Sequence, residues 1–489
     1  MGQTQRSLLG ILAAGIVAWA VAFAPASATP GDQTIWKVGL SRVKITPSRP
    51  VVLLGYGDRS GPFESVAQDI YAKALAVEDG HGQRAVIVTA DLVGWQAAVV
   101  THKVCRRIQE KTGLDRSRLL FNASHAHTGP LVSLDPSAEA NSVAHAPMTP
   151  NDIRETTAYT KELQKKLVAL VCDALARLEP ARLAWGMGRV DFPTNRRLPL
   201  EGRIVMRDNP AGPTDRAVPV LRIEALDGSL KAVLFGCACH NTSLTGRDNV
   251  IAGDYAGFAQ EYIEGQHPAA QAMFMSGCGA DANPSPRGSM EIARRHGSTL
   301  GGEVLRVLAA PLKSIQGDLN TAYREVDLPL QALSRAELEA RAGLPSAEAV
   351  MARHMLSVLD GGEVLPDRYR APFAVWQFGG DLTLVALPAE PVADYVALVG
   401  QALGRDKLWV AGFNNDCFGY LPTAQVVREG GHEAIGITLW IWGRSLRSKA
   451  GFFASEVEDV VLSTVRDLAE QASAAKPVRD TKCGNVNGR

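Results

Sequence analysis

Short β-rich apolar runs recur along this chain, and each one ends in polar side chains. The run at 85–89 leads into Asp91, and 119–123 leads into Ser124-His125-Ala126-His127-Thr128-Gly129-Pro130. Residues 231–236 lead into His240-Asn241-Thr242-Ser243, and 272–275 lead through Ser276 to Asp281-Ala282-Asn283-Pro284. Residues 382–387 lead into Pro388-Ala389-Glu390, and 408–411 lead through Asn414, Asn415 and Asp416 to Tyr420. Near-continuous apolar runs this short suit strands covered on both faces. Helical patterns at 97–112, 154–178, 257–265, 288–308 and 335–359 lie between them, and another follows at 446–471. Asp254 and Asn283 stand where caps of the following helices are expected. The alternation predicts an α/β fold: a single large domain with a mixed, mostly parallel sheet and helices on its faces. Ligands of such sheets bind outside the carboxyl ends of the strands, so these polar clusters are the candidate site.

Before the first strand, Arg6 is the only charge ahead of residue 28, followed by an apolar run from Leu8 to Phe23 and then Ala26-Ser27-Ala28. This reads as a signal peptide over 1–28, with the mature domain at 29–489 and a secreted or periplasmic location. The run is too short and too broken by Gly and Pro for a good membrane span, and no other run approaches spanning length, so no integral span is expected after cleavage. Basic and acidic residues balance at 51 each, which leaves no electrostatic footprint for nucleic acid. The expected partner is a small-molecule or lipid-like substrate.

The 7 cysteines are too sparse for a disulfide scaffold, and Cys237-Ala238-Cys239-His240 lacks the Cys-x-x-Cys spacing of a metal site. They read better as small buried thiols, Cys278 included. The segment 133–152 is long, polar and weakly periodic, either a lid or a surface excursion. Asn122-Ala123-Ser124 and Asn241-Thr242-Ser243 sit against apparent buried strands and are discounted as glycosylation sites.

On an extended backbone, His125-x-His127 puts two imidazoles on one face. They either share a metal or divide roles between ligand and acid/base partner. With His240 and Glu390 they make up the N and O donors of a catalytic zinc site that keeps a position for water. A structural histidine pair is the competing reading. No HExxH, Gly-x-Ser-x-Gly or Walker motif occurs. Asn195-Arg196-Arg197, in a Pro-flanked turn, is either an anion-holding group or a solvated cluster.

These residues, taken in order from Val38 to about Ile435, resemble the neutral, non-lysosomal ceramidases and their relatives, zinc-dependent amide hydrolases. The resemblance rests on residues 38–47, Leu54-Gly55-Tyr56-Gly57, Ala90-Asp91-Leu92, 122–130, Cys239–Ser243, Gly253-Asp254-Tyr255, 279–284, Leu387–Glu390 and Gly419-Tyr420. It implies Zn2+ held by His125, His240, Glu390 and Tyr420, with His127 and Arg196 beside the reacting carbonyl. His127 would then pass a proton to the leaving amine and Arg196 would stabilise an oxyanion. The family's ceramidases carry a Gly-Asp-x-Ser-Pro-Asn type segment whose Ser is proposed to act in catalysis, and here the sequence around Asp281 departs from it. Alignment on Asp281 puts Asn283 at the Ser position, and alignment on Gly279 puts Ala282 there. Neither is a nucleophile or base. Asp281 and Asn283 therefore stand as catalytic candidates with altered chemistry. The family's C-terminal β-sandwich domain is not matched in this sequence. The expectation is an exported zinc amidohydrolase. Its alternatives are a hydrolase or lyase acting on a carbohydrate or other polar compound, and a non-catalytic ligand-binding relative.

Overall fold

The computed structural model describes residues 35–57, 59, 61–134, 148–344, 347–437 and 451–474. The expected signal peptide, most of the 133–152 segment, the start of the helix expected at 446–471 and Cys483 lie outside them. The described residues all belong to one compact unit. Among them no helix is long and apolar enough to cross a membrane.

Eight strands form the path of the larger sheet: β1 (Trp36–Lys44), β2 (Tyr71–Glu78), β3 (Arg84–Ala90), β4 (Leu119–Ala123), β5 (Glu179–Arg189), β6 (Ala217–Ala225), β7 (Leu230–Cys237) and β8 (Gln271–Ser276). Their spatial order is β8-β7-β6-β5-β1-β2-β3-β4, and the short strand Lys313–Ser314 pairs with β5. A smaller sheet runs β9 (Leu319–Pro329), β10 (Arg368–Phe378), β11 (Leu382–Ala386) and β12 (Leu408–Ala411) in that order. Trp36, Leu75, Leu234 and Met273 of the larger sheet share a core with Trp376, Leu384 and Trp409 of the smaller one, so the two sheets pack face to face. Helices α1 (Thr101–Thr112), α2 (Pro150–Ala176), α3 (Asp254–Gln266) and α4 (Met290–Ala309) cover the other face of the larger sheet. After α5 (Arg335–Ala342) and α6 (Ala347–Asp360), helices α7 (Asp394–Leu403) and α8 (Val457–Ala474) cover the outer face of the smaller sheet. Both sheets are thus buried on two sides, as near-continuous apolar strands require.

The mixed α/β architecture is the one expected. Parallel pairing holds for β3–β4, β7–β8 and β11–β12, each joined through one helix (α1, α3 or α7) into a βαβ unit. The strands between these units pair antiparallel. The six strands of the three units are the six apolar runs of the sequence.

Some local expectations are corrected. The pattern at 335–359 is two helices: α5 ends at Ala342 with Gly343 as its C-cap, and α6 begins at Ala347. Asp254 is not a cap: α3 starts at Asp254 itself, with Gly253 at the N-cap. Its carboxylate instead accepts from the backbone N–H groups of Ser243, Leu244 and Tyr255. Asn283 caps nothing, since Ser289 accepts from Ile292 N at the start of α4.

Candidate metal centre

The three βαβ units bring their carboxyl ends together, and one side chain ties them. Asn122, at the end of β4, donates to Gly412 O at 2.8 Å and Asn414 Oδ1 at 3.0 Å, beyond β12. Its own Oδ1 accepts from Ser276 N, the end of β8, at 2.9 Å. The chain leaves these ends through left-handed residues at His125 (φ 60°), Ala389 (φ 58°), Phe413 (φ 57°) and Asn415 (φ 64°). Such backbone is costly for non-glycine residues and clusters at functional sites.

His125 is therefore not on extended backbone, as the His-x-His reading supposed, yet its Nε2 comes to 3.0 Å from His127 Nε2. His125 Nδ1 lies 2.7 Å from Val93 O, and His240 Nδ1 lies 2.9 Å from Gly279 O. A carbonyl only accepts, so both neutral rings carry their proton on Nδ1 and turn the Nε2 lone pair inward. Glu390 Oε2 faces these lone pairs, 3.4 Å from His125 Nε2 and 3.3 Å from His240 Nε2. Neither Glu390 oxygen has a hydrogen-bond donor, and all three side chains are fully buried. Burial, with Arg196 and His125 nearby, holds the His240 pKa down to about 3, and burial holds His127 well below the usual range. Two imidazole lone pairs thus face a buried carboxylate oxygen with no hydrogen between them, an arrangement that a cation completes. Cys417 lies in the same cluster. Burial and Glu390 push its thiol pKa well up.

Tyr420 is in register with Glu390 on a short parallel pair, Glu390–Pro391 with Tyr420–Leu421. Its hydroxyl accepts from Arg196 Nη2 at 3.1 Å and lies 3.1 Å from His432 Nε2. Arg196 also donates to Glu433 Oε1 at 2.8 Å and to Asn283 Oδ1 at 3.2 Å. Arg197 donates to the other Glu433 oxygen at 3.0 Å and to Glu429 at 3.0 Å. Burial raises the Glu433 pKa, but Arg196, His432 and Arg197 outweigh it and hold the group at about 2. Asp281 is placed differently from the other candidates. Its two oxygens accept from Ala393 N (2.8 Å) and Asn195 Nδ2 (3.0 Å), which makes it a clamp between segments, and burial pushes its pKa up to about 7. Ala282 is buried in the core, so the position that faces Arg196 is Asn283.

A cavity of about 230 Å³ opens over this cluster, lined among others by Tyr56, His127, Arg196, Asn283, Arg287, Glu390, Tyr420 and His432. A separate cavity of about 350 Å³, lined by Asp215, Arg405 and Trp409, holds none of the candidate residues. Glu433, His432, Tyr56, Arg287 and Cys417 escaped the sequence reading, because none directly follows an apolar run. Tyr56 and Glu433 do lie within the stretch that carries the resemblance. Cys237, Cys239 and Cys278 are buried with strongly raised thiol pKa values, caused first by burial, and form no disulfide.

A model of the family described as neutral/alkaline non-lysosomal ceramidase, N-terminal, matches residues 36–285. The neutral ceramidase of Pseudomonas aeruginosa is 26% identical over 240 residues, covering 48% of this chain and 34% of that protein. Neutral ceramidase B of Dictyostelium discoideum is 24% identical over 279 residues, covering 53% of this chain and 36% of that protein. The matched stretch thus spans about a third of these curated relatives' length. The crystal structure of neutral ceramidase from Pseudomonas aeruginosa superposes with a TM-score of 0.66 at 19% identity, covering 90% of this chain and 74% of that one. A ceramidase complexed with C2 gives a TM-score of 0.65 at 18% identity, covering 89% and 75%. These superpositions show a shared fold.

Proposed function

The chain belongs to the neutral/alkaline non-lysosomal ceramidase family, and from that membership and the strand-end cluster we propose an exported, zinc-dependent hydrolase that cleaves an amide (N-acyl) bond. The observation that carries the reading is the meeting of His125 Nε2, His240 Nε2 and Glu390 Oε2 as bare electron-pair donors. Two imidazoles, a carboxylate and the Tyr420 phenol make a donor set suited to zinc. A zinc ion held by these four residues supplies Lewis-acid polarisation of a carbonyl and lowers the pKa of a water towards about 7.

The chain's own groups do the rest. His127, beside His125 and with an unpartnered Nδ1, carries a proton to the leaving amine. Arg196, fixed by Glu433, presents its guanidinium to the developing oxyanion. Asn283 orients Arg196 and supplies neither nucleophile nor base, which leaves water as the attacking group. Asp281 clamps Asn195 and Ala393 and so sets the position of Arg196. Relatives named neutral ceramidase make a ceramide or another N-acyl amide the first substrate class to try.

Metal analysis of the pure protein tests the centre. About one zinc per chain is expected, lost in His125→Ala and in His240→Ala, and full metal content in both variants sinks the assignment. The polar lining by Thr242, Asn283 and Arg287 favours, as a second reading, a carbohydrate or other polar substrate at the same centre. A panel of N-acyl amides and glycosides decides between them.

A further inference from the structure

Of the arginines at or beside the cavity, Arg196 and Arg197 are paired with carboxylates, and Arg59 donates to backbone carbonyls, His127 O among them. Arg196 and Arg197 share Glu433, and Arg197 also reaches Glu429. Arg287 differs. Its Nη2 donates to the Tyr56 hydroxyl at 3.0 Å, and among the described residues no carboxylate lies within ion-pair distance of it. The Tyr56 O–H donates to Leu244 O at 2.6 Å, so its oxygen must accept from Arg287, and the guanidinium is held in place. The adjoining Gly288 N donates to Ser243 O at 2.8 Å, which fixes the Arg287 backbone beside the loop that follows His240. Asp254 is close enough to act electrostatically on Tyr56, but its carboxylate already accepts from three backbone N–H groups. Arg287 therefore lines the cavity as a pre-positioned cation that no carboxylate among the described residues pairs with.

The neighbours of this cation give it a place relative to the bond. Tyr56 lies edge-on to His127 with ring centroids 4.9 Å apart, so through Tyr56 Arg287 stands next to the residue proposed to protonate the leaving amine. Arg196 adjoins the hairpin of Arg197–Leu200 and Arg203–Met206, whose half-exposed Met206 also lines the cavity.

Resting on the amide-hydrolase reading, we infer that the substrate is an N-acyl compound whose amine portion carries a carboxylate, bound by Arg287, while its acyl chain leaves past Met206. A planar guanidinium with free donors is matched to a carboxylate in charge and in fork geometry. The neutral amino alcohol of a ceramide leaves that charge unmatched.

The test uses the full-length, zinc-loaded protein and two probes with one acyl chain, N-dodecanoylglycine and N-dodecanoylethanolamine, below their micelle concentrations. The expected result is a preference for the glycine conjugate of about tenfold or more in kcat/KM. Arg287→Gln should reduce that ratio about tenfold, and Arg287→Lys should restore part of it. Preference for the ethanolamine in the wild type, or a ratio unchanged in Arg287→Gln, overturns the inference. Calorimetric binding of N-dodecanoylglycine keeps the two readings apart. If neither amide is cleaved yet binding weakens about tenfold in Arg287→Gln, the hydrolase reading fails and the anion site stands. Equal binding by wild type and Arg287→Gln removes the anion site.

Discussion

A Cβ built on Gly55 would lie 2.6 Å from Cγ of His127, and the Gly55 backbone sits at φ +107°. Glycine is thus required there twice, by the backbone conformation and by the close approach of the ring. Gly55→Ala should cost about 1–3 kcal/mol of stability and push His127 off its contact with His125. Because the substitution leaves His125, His240 and Glu390 untouched, zinc content should hold while kcat/KM falls about 10- to 100-fold. Loss of metal together with activity would show that His127 acts as a ligand.

The uncompensated carboxylate of Glu390 leads to an expectation with opposite signs in two states. Without metal, Glu390→Gln removes a buried charge that lacks any hydrogen-bond donor, and should raise stability by about 1–3 kcal/mol. With saturating zinc the order reverses, because binding to the folded state contributes about 4 kcal/mol at a thousandfold excess over Kd and the variant binds more weakly. Thermal melts of chelated and zinc-loaded samples of both proteins check this. Equal shifts in the two states would remove Glu390 from the ligand set.

Glu433 makes a second electrostatic device. Its folded pKa of about 2 is depressed below the ordinary 4.5, so the folded state favours the ionised form. The stabilisation is complete above about pH 4.5 and is lost as pH falls towards 2, a loss of roughly 3 kcal/mol. Glu433→Gln should flatten this acid limb in urea titrations between pH 6 and pH 3. It should also destabilise the protein at pH 6 by about 3–5 kcal/mol, because Arg196 and Arg197 lose their buried partner.

Removing only the Tyr420 hydroxyl separates two roles for that side chain. In Tyr420→Phe, Arg196 loses an acceptor at 3.1 Å and His432 loses its neighbour. If the phenol is also a metal ligand, the zinc dissociation constant should rise about 10- to 100-fold, as measured by competition with a chromogenic chelator. An unchanged constant with a lowered kcat would reduce Tyr420 to a partner of Arg196.

Legibility in the sequence followed burial. The six strands of the βαβ units are buried along most of their length, and β8 (Gln271–Ser276) throughout, so they stand out as apolar runs. Strand β1 alternates, with Lys37 and Arg42 exposed, and β9 carries Asn320, Arg324 and Glu325 among its buried residues. These two strands have no continuous apolar signature, so the sequence pattern does not mark them. The same cause divides the site. His125, His127, His240, Glu390 and Tyr420 follow apolar runs and were legible. Glu433 arrives on a single 3-10 turn (His432–Ile435) and Arg287 on a loop, both positioned by tertiary packing. Asp281 has the sequence position of a catalytic acid, but the turn around it spends both oxygens on Ala393 and Asn195.

The two histidines come from the larger sheet, and Glu390 and Tyr420 come from beyond the strands of the smaller one. On the proposed zinc assignment, the larger sheet alone would offer an ion only a pair of imidazoles, a weak site. Docking adds the carboxylate and closes the shell, so secure retention is deferred until folding is complete. On that assignment, a chain that ends before Glu390 would keep the imidazole pair but lack the carboxylate, and should bind zinc more weakly.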